Sequence, residues 1–65
     1  MRKSEAYENF ARAHSTREQA EPYIDKAAQS KADGSGDERG WLVTQVGRET
    51  RLLAPDGTVV ATLTE

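Results

Sequence analysis

Apolar residues recur at helical spacing through the first half of the chain and alternate through the second. Tyr7, Phe10, Ala11 and His14 fall at i, i+3, i+4 and i+7, one face of a helix, with Ala6 and Ala13 beside it. Ser4 is placed to cap the opening turn, with Glu5 behind it in favourable dipole position. Phe10, the only phenylalanine, is the expected helical core residue. Ser15-Thr16-Arg17-Glu18 has the form of a capping box and predicts a new start directly after His14. Pro22 then divides the reading, because inside a helix it removes one hydrogen bond and crowds the Glu18 carbonyl. The favoured expectation is one short turn at Ser15 and a main second helix starting near Pro22, where a missing N–H is harmless. The alternative is a single helix kinked at Pro22. Ala20, Ile24, Ala27, Ala28 and Lys31, with Tyr23 at the edge, form a thin stripe for this helix, and Gly34 is its natural stop.

From residue 41 the period changes to two. Residues 41–46, 50–54 and 58–64 are β-prone runs separated by Gly47-Arg48 and by Pro55-Asp56-Gly57. Glycine first in a two-residue loop suits a type II′ turn, and Asp-Gly suits type I′. The first turn pairs Val46 with Glu49, Val43 with Leu52 and Trp41 with Ala54. A two-residue Asp56-Gly57 turn pairs Pro55 with Thr58, Ala54 with Val59 and Leu52 with Ala61. Trp41, Val43, Leu52, Ala54, Val59, Ala61 and Leu63 then share one face, which is expected to pack on the Phe10 helix. A three-residue turn with Gly57 as a bulge ranks second; it shifts the third strand by one residue and exchanges its faces.

The opposite face carries Leu42, Thr44, Val46, Glu49, Arg51, Leu53, Val60 and Thr62. Its Leu42, Leu53 and Val60 make it more apolar than a solvated face needs, and a contiguous exposed apolar area marks a contact surface. Together these patterns predict an α+β fold: one or two N-terminal helices packed on a C-terminal three-stranded antiparallel β-meander. The chain reads as a single small domain over 1–65, helical over 4–33, with a flexible link over 34–40 and the sheet over 41–64.

Composition narrows the function more than it identifies it. At 65 residues only one small core is possible, and self-association or a partner would support it. The absence of cysteine removes disulfides, thiolate metal sites and a cysteine nucleophile, and is compatible with a reducing cytoplasm. The net charge of −2 lacks both the basic footprint of a general nucleic-acid binder and the dense negative surface of a nucleic-acid mimic. No apolar run approaches the length of a membrane span.

Individual residues add little chemistry. His14 is the only histidine; Ser15 and Thr16 beside it sit where caps belong, so it reads as a helix-end residue rather than a catalytic base. One histidine without cysteines makes no structural zinc site. Asp33, Asp37 and Glu38 lack the spacing of a calcium loop and read as solvated link residues. Gly34-Ser35-Gly36 has no Gly-Lys-Ser/Thr after it and is no phosphate loop. No residue set points to a cofactor, a metal or a small-molecule substrate. Arg39, Arg48 and Arg51 form a candidate basic patch near one end of the hairpin, with Trp41 and Tyr23 available for stacking on RNA; the plainer reading is edge and turn charge that discourages sheet aggregation.

Residues 40–57, from Gly40-Trp41 to Asp56-Gly57, resemble the central hairpin of the small mRNA-interferase toxins of HicA type, with a Gly-aromatic opening and a late Asp-Gly turn. Those toxins rely on a histidine just after the first hairpin glycine. Here that stretch is Arg48-Glu49-Thr50, and the family's closing helix has no counterpart after Glu65, so the resemblance implies a hairpin and no RNA-cleaving activity. The sequence therefore leads to a non-enzymatic protein–protein interaction module, an inhibitor or adaptor of bacterial or phage origin working in the cytoplasm. Leu42, Leu53, Val60 and Arg51 are its candidate contact residues, with the alanine-rich face of the second helix as another. The alternatives are a homodimer using the same face or the free edge strand, and a weak RNA or DNA binder using Arg39, Arg48 and Arg51.

Overall fold

The computed structural model describes residues 1–34 and 36–64. Its elements run in the order α1 (Lys3–Arg12), α2 (Arg17–Asp33), β1 (Leu42–Val46), β2 (Glu49–Leu53) and β3 (Val59–Thr64). Two N-terminal helices pack against a C-terminal three-stranded antiparallel sheet of order β1-β2-β3, the expected architecture. α1 is the central element, backbone to backbone with α2, β1 and β2, whereas β3 is neighboured only by β2.

The apolar stripe of α1 is buried as its spacing requires: Ala6, Tyr7, Phe10 and Ala11 all face inward. Its cap is not the one expected. The N-cap position is Arg2, which makes no side-chain capping bond, and Ser4 lies inside the first turn. A stronger acceptor reaches that turn from far along the chain. The Asp37 carboxylate accepts from the Ser4 amide at 2.8 Å and from the Ser4 hydroxyl at 2.9 Å. An ionised acceptor at a helix N-terminus meets both the free amide and the positive end of the dipole.

α2 is one helix from residue 17 and does not restart at Pro22. Its N-cap is Thr16 rather than Ser15, accepting from the Gln19 amide at 3.3 Å; Thr16-Arg17-Glu18-Gln19 repeats the capping-box form one residue later. The acceptor deprived by Pro22 is the carbonyl of Glu18, an exposed residue that water can serve. The buried face is also rotated from the expected stripe. Ala20, Ala27 and Ser30 are buried, while Ile24, Ala28 and Lys31 are exposed. Tyr23 causes the rotation by joining an aromatic cluster: its ring meets Phe10 edge-on at 4.8 Å and stacks on His14 at 5.0 Å. The helix ends at Gly34, as expected.

The stretch expected to be a flexible link is tied to the start of the chain, apart from Ser35, which lies outside the described residues. Lys3 donates its amide to the Glu38 carbonyl at 2.9 Å, and Trp41 donates to the Met1 carbonyl at 3.1 Å. Met1 nitrogen donates to the Trp41 carbonyl in return, and Arg2 and Arg39 form an antiparallel bridge. Asp37 is correspondingly not solvated: its side chain is only 6 % exposed, accepts from the Ser30 hydroxyl at 3.1 Å, and has Arg2 at 3.9 Å. The amide bond from Ser4, followed by the Ser4 and Ser30 hydroxyls and the Arg2 charge, outweighs desolvation and holds the Asp37 carboxyl below the usual carboxylate range.

The first hairpin has the expected register, with Val46 opposite Glu49 and Val43 opposite Leu52. The second combines both registers weighed for it. Gly57 N donates to the Ala54 carbonyl and Ala54 N to the Thr58 carbonyl, each at 2.9 Å, which closes a three-residue loop over Pro55, Asp56 and Gly57. Type I′ needs positive φ at both central residues, and no residue other than glycine has it here; Gly57 does, at 91°. The Asp56 carboxylate accepts from the Thr58 amide, which holds its pKa below the usual range. The loop sets Leu53 opposite Val59, one residue off the favoured register, and an irregularity between Leu52 and Leu53 then restores Leu52 opposite Ala61. Val59 is thereby removed from the Trp41 face, and Val60 is the inserted residue.

The core is Phe10 and Leu52, fully buried, with Ala6, Tyr7, Ala27 and Trp41, and with Tyr23, Val43, Ala54, Ala61 and Leu63 packed against it. Trp41 brings its indole Nε1 into this core without a hydrogen-bond partner among the described residues.

Candidate interaction surface

Alternation along three paired strands leaves a complete outer face beyond the core. Its rows are set by register: Leu42 beside Leu53 beside Val59, then Thr44 beside Arg51 beside Thr62, then Val46 beside Glu49 beside Thr64. Leu42, Val59 and Val60 are 51 %, 47 % and 42 % exposed, and Leu53 between them is half-buried. Leu42, Leu53 and Val60 thus come together as the sequence suggests. Val59 joins them, because the insertion at Val60 turns two successive valines to solvent at one end of the strand. Sequence reasoning missed Val59. The signal was the proline: with φ fixed at Pro55, the Ala54-Pro55-Asp56-Gly57 stretch suits a type I turn followed by glycine better than a two-residue loop.

Arg51 occupies the middle of this face and is paired with Glu49, so the centre of the surface is charge-neutral. The three arginines do not form one patch. Arg39 lies before β1, bridged to Arg2, and Arg48 lies in the turn after β1. A strand of this length places them about 17 Å or more apart.

His14 sits at the C-terminal end of α1. Its Nδ1 is 2.9 Å from the Phe10 carbonyl and 3.3 Å from that of Ala11; both are acceptors, so Nδ1 carries the proton and serves free helix-end carbonyls. The ring is also stacked on Tyr23 and edge-on to Phe10. Among the described residues no group of three or more histidine, cysteine or carboxylate side chains is arranged to hold a metal ion. No helix of the described residues is long and apolar enough to cross a membrane.

Two concave regions lie away from the sheet face. A groove of about 430 Å³ runs between the helices past Ala11, His14, Ala20 and Ile24, and the exposed Ile24 is its largest apolar wall. A second cleft, of about 420 Å³, is lined by Lys3, Tyr7, Lys26 and Ser30 among others. No protein-family model, no curated protein and no solved structure matches this chain.

Proposed function

We propose that this chain is a non-enzymatic protein–protein interaction module, an inhibitor or adaptor acting in the cytoplasm, that docks a larger protein on the outer face of its sheet. The observation that carries the reading is the row Leu42, Leu53 and Val59 with Val60: four apolar side chains gathered at one end of a face whose other positions are polar except for Val46 at the far end. Exposed aliphatic groups in register across three strands are removed from water only by a partner. The neutral Glu49–Arg51 pair beside them supplies a polar rim without net charge.

Retention of protein from lysate at two salt concentrations, with the wild type and three variants, tests the reading. A stoichiometric protein held at high salt by the wild type and by Arg51→Glu, and lost with Val60→Asp and Leu53→Asp, supports it. Retention unaffected by either aspartate, in variants shown to be folded, overturns it.

The edge of β3 favours a second reading, a homodimer. Val59–Thr64 contains no charged residue and no proline, and no helix backbone lies against it. An unguarded edge of this kind is a template for antiparallel pairing with a second copy. Sedimentation at micromolar concentration decides it: a mass near twice that of the monomer, reduced to one by Thr62→Lys, is the dimer's signature.

A further inference from the structure

The cleft beside the first turn of α1 has features that the sheet-face reading leaves unused. Lys3, Tyr7, Lys26, Gln29, Ser30 and Asp33 line it. Tyr7 is only 4 % exposed, and its hydroxyl has no hydrogen-bond partner among the described residues. Among the described residues only Trp41 Nε1 is a buried side-chain polar atom without a partner, so the Tyr7 hydroxyl reaches solvent at the cleft and is free to donate there. Burial, and then the neighbouring Tyr23, raise the Tyr7 pKa above 10, so the group keeps its proton and stays a donor.

The two lysines are held in place rather than left to wander. Lys26 Nζ lies over the Tyr7 ring, 5.9 Å from its centroid, and Lys3 Nζ lies over the Trp41 indole at 5.6 Å. Cation–π contact of this kind orients an ammonium without neutralising it. Neither lysine forms an ion pair among the described residues. Asp33 on the same wall offsets one of the two charges, so the cleft keeps one net positive charge, which matches one anionic group rather than a polyanion. The Ser30 hydroxyl is committed to Asp37, which leaves Tyr7, the lysines and the Gln29 amide as available donors.

We propose that this cleft is a binding site for a single oxyanion group, a carboxylate or a phosphate, with the Tyr7 hydroxyl as a donor in its wall and the Lys3 and Lys26 ammonium groups supplying the charge. It is independent of the outer sheet face and adds a small-anion ligand to a chain whose sequence suggested none.

Titration of isotope-labelled protein with inorganic phosphate, and separately with acetate, followed by amide NMR at constant ionic strength against chloride, tests the site. The expected result is saturable movement of the Lys3, Tyr7, Lys26 and Ser30 amides while Leu42 and Val59 stay fixed; which anion saturates first tells phosphate from carboxylate. Tyr7→Phe removes only a hydroxyl that has no partner among the described residues, so it is expected to melt like the wild type. It is also expected to bind about tenfold more weakly, as is Lys26→Gln. Shifts that fail to saturate, that chloride reproduces, or that persist unchanged in both variants mean an adventitious ion only and overturn the proposal.

Discussion

Asp37 caps a helix that begins more than thirty residues before it: both its oxygens are engaged by Ser4, one by the amide and one by the hydroxyl. The contact makes the N-terminus of α1 depend on a residue that follows α2, and it has a pH signature. The folded carboxyl titrates below its ordinary range, chiefly through the Ser4 amide bond. Its contribution is therefore complete above the unfolded pKa and is lost as pH falls through the folded one. Thermal melts taken down the acid range are expected to hold until about pH 4 and then fall. Asp37→Asn is expected to be less stable at neutral pH and to show a shallower acid limb.

Pro22 is exposed at the sixth residue of α2, so its ring contributes no core packing. Replacing it with alanine restores the bond to the Glu18 carbonyl and removes the steric conflict with that turn. Part of the gain is offset by the larger freedom of the unfolded chain. Pro22→Ala is expected to raise stability by about 1–3 kcal/mol, read from the urea midpoint at unchanged slope.

Gly40 combines two constraints that only glycine meets. Its φ is 100°, and a Cβ there would come within 3.0 Å of Pro55 Cβ. Gly40→Ala is expected to cost about 1–3 kcal/mol. Adding Pro55→Ala should recover the steric share of that loss and leave the backbone share, so a double-mutant cycle separates them.

Leu52 and Val60 lie on neighbouring strands with opposite exposure, 0 % and 42 %. Leu52→Ala is expected to cost about 2–5 kcal/mol, which unfolds most of a domain this small. Val60→Ser is expected to stay within about 0.5 kcal/mol of the wild type. Its effect should appear in partner retention instead.

The elements were legible where period and turn chemistry agree. Tyr7, Phe10 and Ala11 announce a helix face, and Gly47-Arg48 with alternation on both sides fixes the Val46–Glu49 register. Two of the departures in the helical half, at Ser4 and at Pro22, came from local rules overridden by distant partners. Ser4 looked like a cap because no linear pattern reveals that Asp37 returns to it. Pro22 looked like a boundary because the cost of a helical proline is local, whereas the Tyr23 packing that holds α2 together is not. The outer face was readable as an oddity, since Leu42, Leu53 and Val60, together with Val46, make it more apolar than a solvated face needs. Val59 and the Tyr7 cleft were not: one depends on a single-residue insertion, the other on two helices and a connecting segment meeting.

The pairing of residues 1–3 with residues 38–41 also determines how this molecule opens. Helix ends ordinarily fray alone, and their first amides exchange with solvent through small, frequent fluctuations. Here the Lys3 amide is bonded to Glu38 and the Ser4 amide to Asp37, so neither is released until the segment between α2 and β1 lifts away. That segment is continuous with Trp41, whose ring lies in the core. Hydrogen exchange at Lys3 and Ser4 should therefore run at the rate of core opening. The two halves of the chain are expected to unfold as one cooperative unit, not as a helical hairpin and a sheet in turn.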